Sequence, residues 1–445
     1  MTEAPSRERE YRRLSPLTPL VRSFIFLVAV VGSSWQSLLH GEGVGPLVWV
    51  LLALGLAGAC YGAASWVRTK YWIEADELRV DTGVIGRQSR RIRIDRLQGI
   101  DIVQPFVARL FGLAELRMDA AGSGREGSLS FLRLSEAQQL KELLLARRDA
   151  ARAREDGGAP VAPTPAEAPE RLLTRIGPGL LAGAVALSSE TLVSVLSAAV
   201  LVAVAMWFDS LAAAGGLFPV ILGAGLVAFR RFSGAYGFTV TEGPAGLQVR
   251  RGLFDLDTQT IALPRLQGVT ITEPLLWRRL GWARLDVSLA GTAHDDHGRG
   301  PAASTVLPVA DRRLALWLAA HLLGRPLPPD EILRRPPSRA RWVAPIGQHF
   351  MAVGADDAVI VSRDGWLTRR THLVPHARVQ SLRLRQGPVQ RLLGLADLHV
   401  DSPPGPVRVR ARHRDAAEAR GLLEVERQVA RAARLRTSCQ ALDRL

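Results

Sequence analysis

Cysteine is nearly absent from this 445-residue chain. Cys60 lies inside an apolar run and Cys439 near the end, too few for a disulfide framework or a Cys-rich zinc site. Lysine is as scarce, at Lys70 and Lys141 only, so arginine carries the formal charge of +15. No Walker loop, dinucleotide fingerprint, nucleophile elbow or HExxH occurs, and the glycines recur at turn spacing, which leaves an enzyme reading without a motif. Aromatic residues are 6% of the chain and few interleave the arginines, which argues against stacking platforms for nucleic acid. No small-residue cleavage pattern follows the first apolar run, so that run is expected to remain as an anchor.

What is present is segregated into uncharged blocks and arginine-rich blocks. Residues 20–39 are apolar apart from Arg22 and polar residues at the far end, and 44–67 carry no charge. A second pair follows at 177–207, whose only ionisable residue is Glu190, and at 211–229. Each stretch is long enough to cross about 30 Å of hydrocarbon as a helix, which predicts two hairpins of two membrane helices. Arg7, Arg9, Arg12 and Arg13 precede the first span, Arg68 and Lys70 follow the second, Arg171 and Arg175 precede the third, and Arg230 and Arg231 follow the fourth. The connections at 40–43 and 207–210 contain no Arg or Lys, so the positive-inside rule places both termini and all soluble parts in the cytoplasm. Glu190 is costly in lipid and suggests a polar pathway or an interhelical partner. With no second intramembrane charge to relay to, a carboxyl hydrogen-bonded beside Ser188 and Ser189 is the favoured reading.

A segment occurs three times, from Leu78, Leu247 and Ile360, at shifts of 169 and then 113 residues. The copies share a turn glycine (Gly83, Gly252, Gly365), an Arg-x-Gln pair (Arg96 and Gln98, Arg265 and Gln267, Arg378 and Gln380), and an Arg followed by Gly (Arg109 and Gly112, Arg278 and Gly281, Arg391 and Gly394), with an Ala and a Leu beyond. Period-two patterning broken by glycine predicts a meander of short antiparallel strands. A short helix is expected at 105–112, and a longer one after each last strand, at 135–151, 311–323 and 415 to about 435. Ser135, Asp311 and Asp415 are the expected N-caps.

This arrangement, with the turn Gly, RxQ and RxxGxAxL pattern in every copy, resembles the bacterial pleckstrin-homology-like (PH-like) family of the YdbT type over roughly residues 12–432. The resemblance implies an α+β membrane protein: four transmembrane helices in two hairpins, with three PH-like barrels of about six or seven antiparallel strands and a C-terminal helix each. The expected boundaries are a cytoplasmic segment at 1–19, hairpins at 20–67 and 175–231, PH-like domains at 68–153, 232–324 and 342–436, linkers at 154–174 and 325–341, and a tail at 437–445. It implies membrane-tethered binding modules without a shared reaction.

Four metal-ligand types adjoin at His294, Asp295, Asp296 and His297, but they lie in a Gly-rich tip and read as a solvated hairpin loop, so no metal and no cofactor is expected. His349, His372, His376, His399 and His413 read as surface or packing residues. The repeated arginines are suited to phosphate, yet carbonyl capping within the repeat is favoured. Arg68, Lys70, Arg230 and Arg231 are the better lipid contacts because they flank the spans. From Arg334 onward there are 21 Arg against 10 Asp plus Glu, a surplus of 11 of the +15. The expected function is therefore a non-enzymatic membrane scaffold that meets anionic inner-leaflet lipid and a membrane or cytoplasmic protein partner, with no nucleic acid. The rival is a transporter or channel accessory that uses Glu190, which expects Glu190→Gln to abolish function in an inserted protein where the scaffold expects tolerance.

Overall fold

The computed structural model describes residues 12–13, 53, 56, 70–74, 77–82, 88–120, 127–155, 171–207, 223, 225–243, 246–290, 305–402 and 405–442. The chain divides into two compact units, Met1–Ala168 with Phe254–Gln259, and Pro169–Leu253 with Thr260–Leu445. The apolar stretch at 20–67, apart from positions 53 and 56, lies outside the described residues, as do Arg68, Gly83, the linker at 156–170 and the loop holding His294 to His297.

In the first unit β1 (Arg12–Arg13), β2 (Lys70–Glu74), β3 (Glu77–Thr82) and β4 (Gln88–Arg93) form one antiparallel sheet in that order. After a turn, β5 (Leu97–Gln104), β6 (Leu113–Ala120) and β7 (Gly127–Arg133) form a second meander, with helix α1 (Phe106–Leu110) between β5 and β6. Helix α2 (Leu134–Glu155) closes the gap between the sheets. It turns Ala137, Leu140 and Leu144 onto Leu78, Leu97, Leu116 and Leu132, the 3-then-4 spacing of one helical face. Each buried leucine there contributes about 1.5–3 kcal/mol. Ser135 is not an N-cap, because the helix already begins at Leu134. Segment 254–259 belongs to this unit through the start of β11 (Leu256–Ile261), where Leu256, Asp257 and Thr258 pair antiparallel with Gln104, Val103 and Ile102 of β5.

The second unit opens with β8 (Arg171–Arg175), which pairs with β9 (Thr239–Gly243), itself paired with β10 (Gly246–Arg251). The linker expected at 154–174 thus ends earlier, in a strand. The third apolar stretch is not one helix. It breaks into α3 (Pro178–Ala186) and α4 (Ser189–Trp207), bent by 48°. The break follows from the sequence Ser-Ser-Glu-Thr: Ser188 Oγ accepts from Thr191 N at 3.3 Å, and Thr191 Oγ1 donates back to Val185 O at 2.8 Å. Such local bonds start a new helix. Leu181 and Ala184 of α3 join the core of the second repeat instead of facing lipid, and Gly183 passes over the Trp282 ring, where an added Cβ would lie 3.2 Å from it. Among the described residues no single helix is long and apolar enough to cross a membrane, and the α3–α4 pair reaches that length and apolarity only when its two bent halves are counted together. A further helix, α5, covers 225–235.

The rest of this unit holds β12 (Leu266–Pro274), α6 (Leu275–Leu280), β13 (Trp282–Leu289), β14 (Thr305–Asp311) and α7 (Arg312–Leu323). The third copy follows with β15 (Ala352–Ala355), β16 (Val359–Asp364), β17 (Thr368–Pro375), β18 (Ser381–Arg385), α8 (Pro388–Leu392), β19 (Leu395–Asp401), β20 (Val409–Asp415) and α9 (Ala416–Leu442). Among the described residues each copy holds six or seven strands, as expected, but the second and third copies are not separate barrels. They share one six-stranded sheet ordered β14-β13-β12-β17-β16-β15, in which β12 and β17 pair from Val269↔Leu373 to Pro274↔Thr368. A second sheet runs β18-β19-β20. Asp311 caps α7 by accepting from Arg313 N, and Asp415 caps α9 by accepting from Ala417 N. The segment read as a linker at 325–341 is ordered: it holds 3-10 turns at Asp330–Ile332 and Ser338–Trp342, and Arg334 bridges to Val353.

Candidate binding surfaces

The repeat motif builds turns. Gly252 and Gly365 have φ of 115° and 91°, and Gly112, Gly281 and Gly394 end the short helices at φ of 66°, 70° and 63°. Arg265 sits at the end of a 3-10 turn and grips the Ala290 carbonyl through Nε at 3.0 Å and Nη2 at 2.7 Å. Arg378 ends the equivalent turn and donates to Pro264 O at 2.8 Å. Arg278 on α6 reaches Trp366 O, in the turn of the third copy, at 2.9 Å. Gln267 is buried and donates to Arg265 O at 3.3 Å, while Gln380 bonds through its backbone N–H to Asp401 O. Arg96 and Arg391 are exposed, and Gln98 lies in β5. Arg109 lies on α1.

Of the span-flanking cations, Lys70 begins β2, opposite Asp81 and next to β1, and Arg230 lies exposed on α5. Arg231, also on α5, contacts Glu190 of α4: its Nη1 is 3.1 Å from Oε2, with Ser189 Oγ donating to the same oxygen at 3.4 Å. The break at Ser188 puts Glu190 in the first turn of α4, where a carboxylate also favours the helix dipole. Arg231, which the sequence places beyond the fourth span, is thus the interhelical partner of Glu190, alongside the Ser189 hydroxyl.

Buried polar pairs tie the shared sheet together. Glu273 of β12, 3% exposed, accepts from Arg312 Nε at 2.9 Å and from Arg369 Nε of β17 at 2.7 Å. His372 of β17 is buried against Thr270 Oγ1 at 2.8 Å, and burial depresses its pKa to about 4. His376, fully buried, bonds Glu426 of α9 through Nδ1 at 2.6 Å and Asp356 O through Nε2 at 2.9 Å. Burial alone would lower its pKa, but the Glu426 carboxylate outweighs it and raises the value. Sequence reading missed this pair. The available signal was Glu426 on the stripe Ala419, Glu426, Ala430 that α9 buries.

Among the described residues of the second unit, two cavities bear on binding. One, of about 460 Å³, is bounded by β12, α7 and the segment after it, with Ile271, Trp317, Leu327 and Leu333 beside Glu273 and Arg312. Its two acids, Glu273 and Asp330, are already paired with arginines, so it offers mainly apolar contact. The other, an open cleft of about 630 Å³, lies on the outer face of β18-β19-β20, lined by Arg385, Asp397, His399, Arg410, Arg412 and His413. Both acids of this face are engaged: Asp397 accepts from Gln390 Nε2 and His413 N, and Asp401 takes both arms of Arg383, at 2.6 and 2.7 Å, which holds its carboxyl below the usual range. Burial and then the Arg410 charge depress His399. This face presents net positive charge to an anionic ligand. Among the described residues no cluster of three metal-ligating side chains occurs.

Comparison with known proteins agrees with this fold. The chain is 25% identical over 344 residues, 71% of its own length and 67% of the relative's, to the UPF0699 transmembrane protein YdbT of Bacillus subtilis (strain 168). No solved structure matches it. The bacterial PH domain family matches three times, at residues 23–148, 179–326 and 336–433, and these matches cover the three copies of the repeat; the chain belongs to the bacterial PH domain family.

Proposed function

We propose that the chain is a non-enzymatic, multi-pass protein of the bacterial cell membrane. Two helical hairpins hold three PH-like domains at the cytoplasmic face, where they bind a protein partner and anionic inner-leaflet lipid. The observation that carries this reading is α4. Leu192, Val193, Val195, Leu196, Val200 and Val204 are 40–65% exposed, and the helix ends on Trp207 at 86%. A helix apolar all round suits lipid and not water, and a terminal Trp suits the headgroup level. The name of the Bacillus subtilis relative, a transmembrane protein, supports the same reading. The basic flanks support the orientation, with Arg68, Lys70, Arg230 and Arg231 at the inner leaflet.

The binding role is supported by how the repeated residues are spent. Arg265, Arg278 and Arg378 are taken up by carbonyls, which leaves ligand contacts to residues that differ between copies and to the exposed Arg96 and Arg391. The Glu190–Arg231 pair joins α4 to α5 and is satisfied without a relay, which favours the scaffold over a transporter accessory. The test is side-specific labelling of a thiol introduced on α9. Modification only from the cytoplasmic side supports the reading, and modification of intact cells from outside contradicts it.

A further inference from the structure

In the first copy the strand after the Arg-x-Gln turn, β5, takes the start of β11 along its edge. In the second copy the equivalent strand, β12, takes β17 over six residue pairs. The third copy has the same strand, β18. Among the described residues β18 is hydrogen-bonded to β19 alone, with Arg383, Leu384 and Arg385 exposed. We propose that the edge of β18 accepts an extended acidic segment of a partner protein as an added antiparallel strand, in the register that β17 takes on β12. The proposal deepens the reading of the repeats as binding modules and does not depend on the membrane topology.

The charge of the occupant follows from the register. A shift of 113 residues places Arg383 and Arg385 where β12 has Thr270 and Thr272. Across from those threonines β17 carries His372 and Arg370. A strand laid on β18 in the same way sets one residue opposite Arg383, which is already paired with Asp401, and one opposite Arg385, where an acid is favoured and a base repelled. Arg385 also opens onto the cleft with Arg410 and Arg412, whose neighbouring acids are already bonded within the sheet. Charged side chains on an edge normally blunt self-association. They do so here as well: the chain's own outer strand β4 reads QSRRIR, so a second copy meets like charge. An acidic strand meets none.

The probe is a short fluorescent peptide alternating valine and glutamate, titrated onto the detergent-solubilised full chain and followed by anisotropy. The peptide binds the wild type, and Arg385→Glu with Arg412→Glu weakens it by about tenfold or more while the melting temperature is kept. Strand addition is separated from simple charge attraction by N-methylating alternate amides, because an added strand bonds through one alternate set. One methylated set abolishes binding and the other leaves it unchanged. Equal binding of both methylated peptides, competed by phosphatidylglycerol vesicles, overturns the strand in favour of a lipid surface. No binding of the parent peptide overturns it too, and α9 labelled only from the cytoplasmic side would then leave the membrane reading standing.

Discussion

At the scale of single residues, the described glycines of the repeat serve backbone geometry. Gly365 has a φ of 91°, and a Cβ there would lie 1.9 Å from Thr368 O, so the turn between β16 and β17 admits no side chain. Gly365→Ala is expected to destabilise the second unit by roughly 2–4 kcal/mol, read as a lowered unfolding midpoint of the solubilised chain. The buried histidines make stability depend on pH in opposite senses. His376 has a raised folded value, so its contribution is complete below the ordinary 6.5 and fades as pH climbs through the raised value. His372 stays neutral when folded, so its contribution holds above 6.5 and is lost as pH falls toward about 4. Glu426→Gln is expected to cost about 1–3 kcal/mol below pH 6.5 and to flatten the loss on the alkaline side, measured by denaturation across pH. The turn glycines were legible in the sequence because only glycine tolerates their backbone. The His376–Glu426 pair was not, since fifty residues separate partners that meet only when α9 lies across the turn before β18.

Among elements, the strands and helices of each copy could be read from periodicity, and the caps Asp311 and Asp415 from their place before apolar helices. The partners of edge strands could not. Alternation says which face of β12 is buried but not that its edge takes β17 of the next copy, because backbone pairing leaves little trace in side-chain pattern. Glu273 is the exception in retrospect: a carboxylate in an otherwise uncharged strand, needing Arg369 across the joint. The Ser188 break was masked by the even apolarity of its flanks. The shared sheet has a direct consequence. A chain ending before Arg334 loses β15, β16 and β17 and bares the edge of β12 together with buried Glu273. The truncated protein is expected to aggregate or to melt well below the full chain, whereas independent barrels would leave the melting of the second copy unchanged.

For the whole molecule, the central claim is that uncharged stretches flanked by arginine hold three basic-to-mixed β domains on one side of a bilayer. Family membership covers the domains, and the exposed apolar girth of α4 supports the anchor. The most direct measurement is thiol labelling of Arg420→Cys, an exposed position of α9, in a chain carrying Cys60→Ser and Cys439→Ser. A membrane-impermeant maleimide is applied to intact spheroplasts and to inverted membrane vesicles. Labelling in the inverted vesicles alone is the predicted result. Labelling in intact spheroplasts would contradict the cytoplasmic placement of the domains, and recovery of the labelled chain in the soluble fraction would contradict the anchor itself.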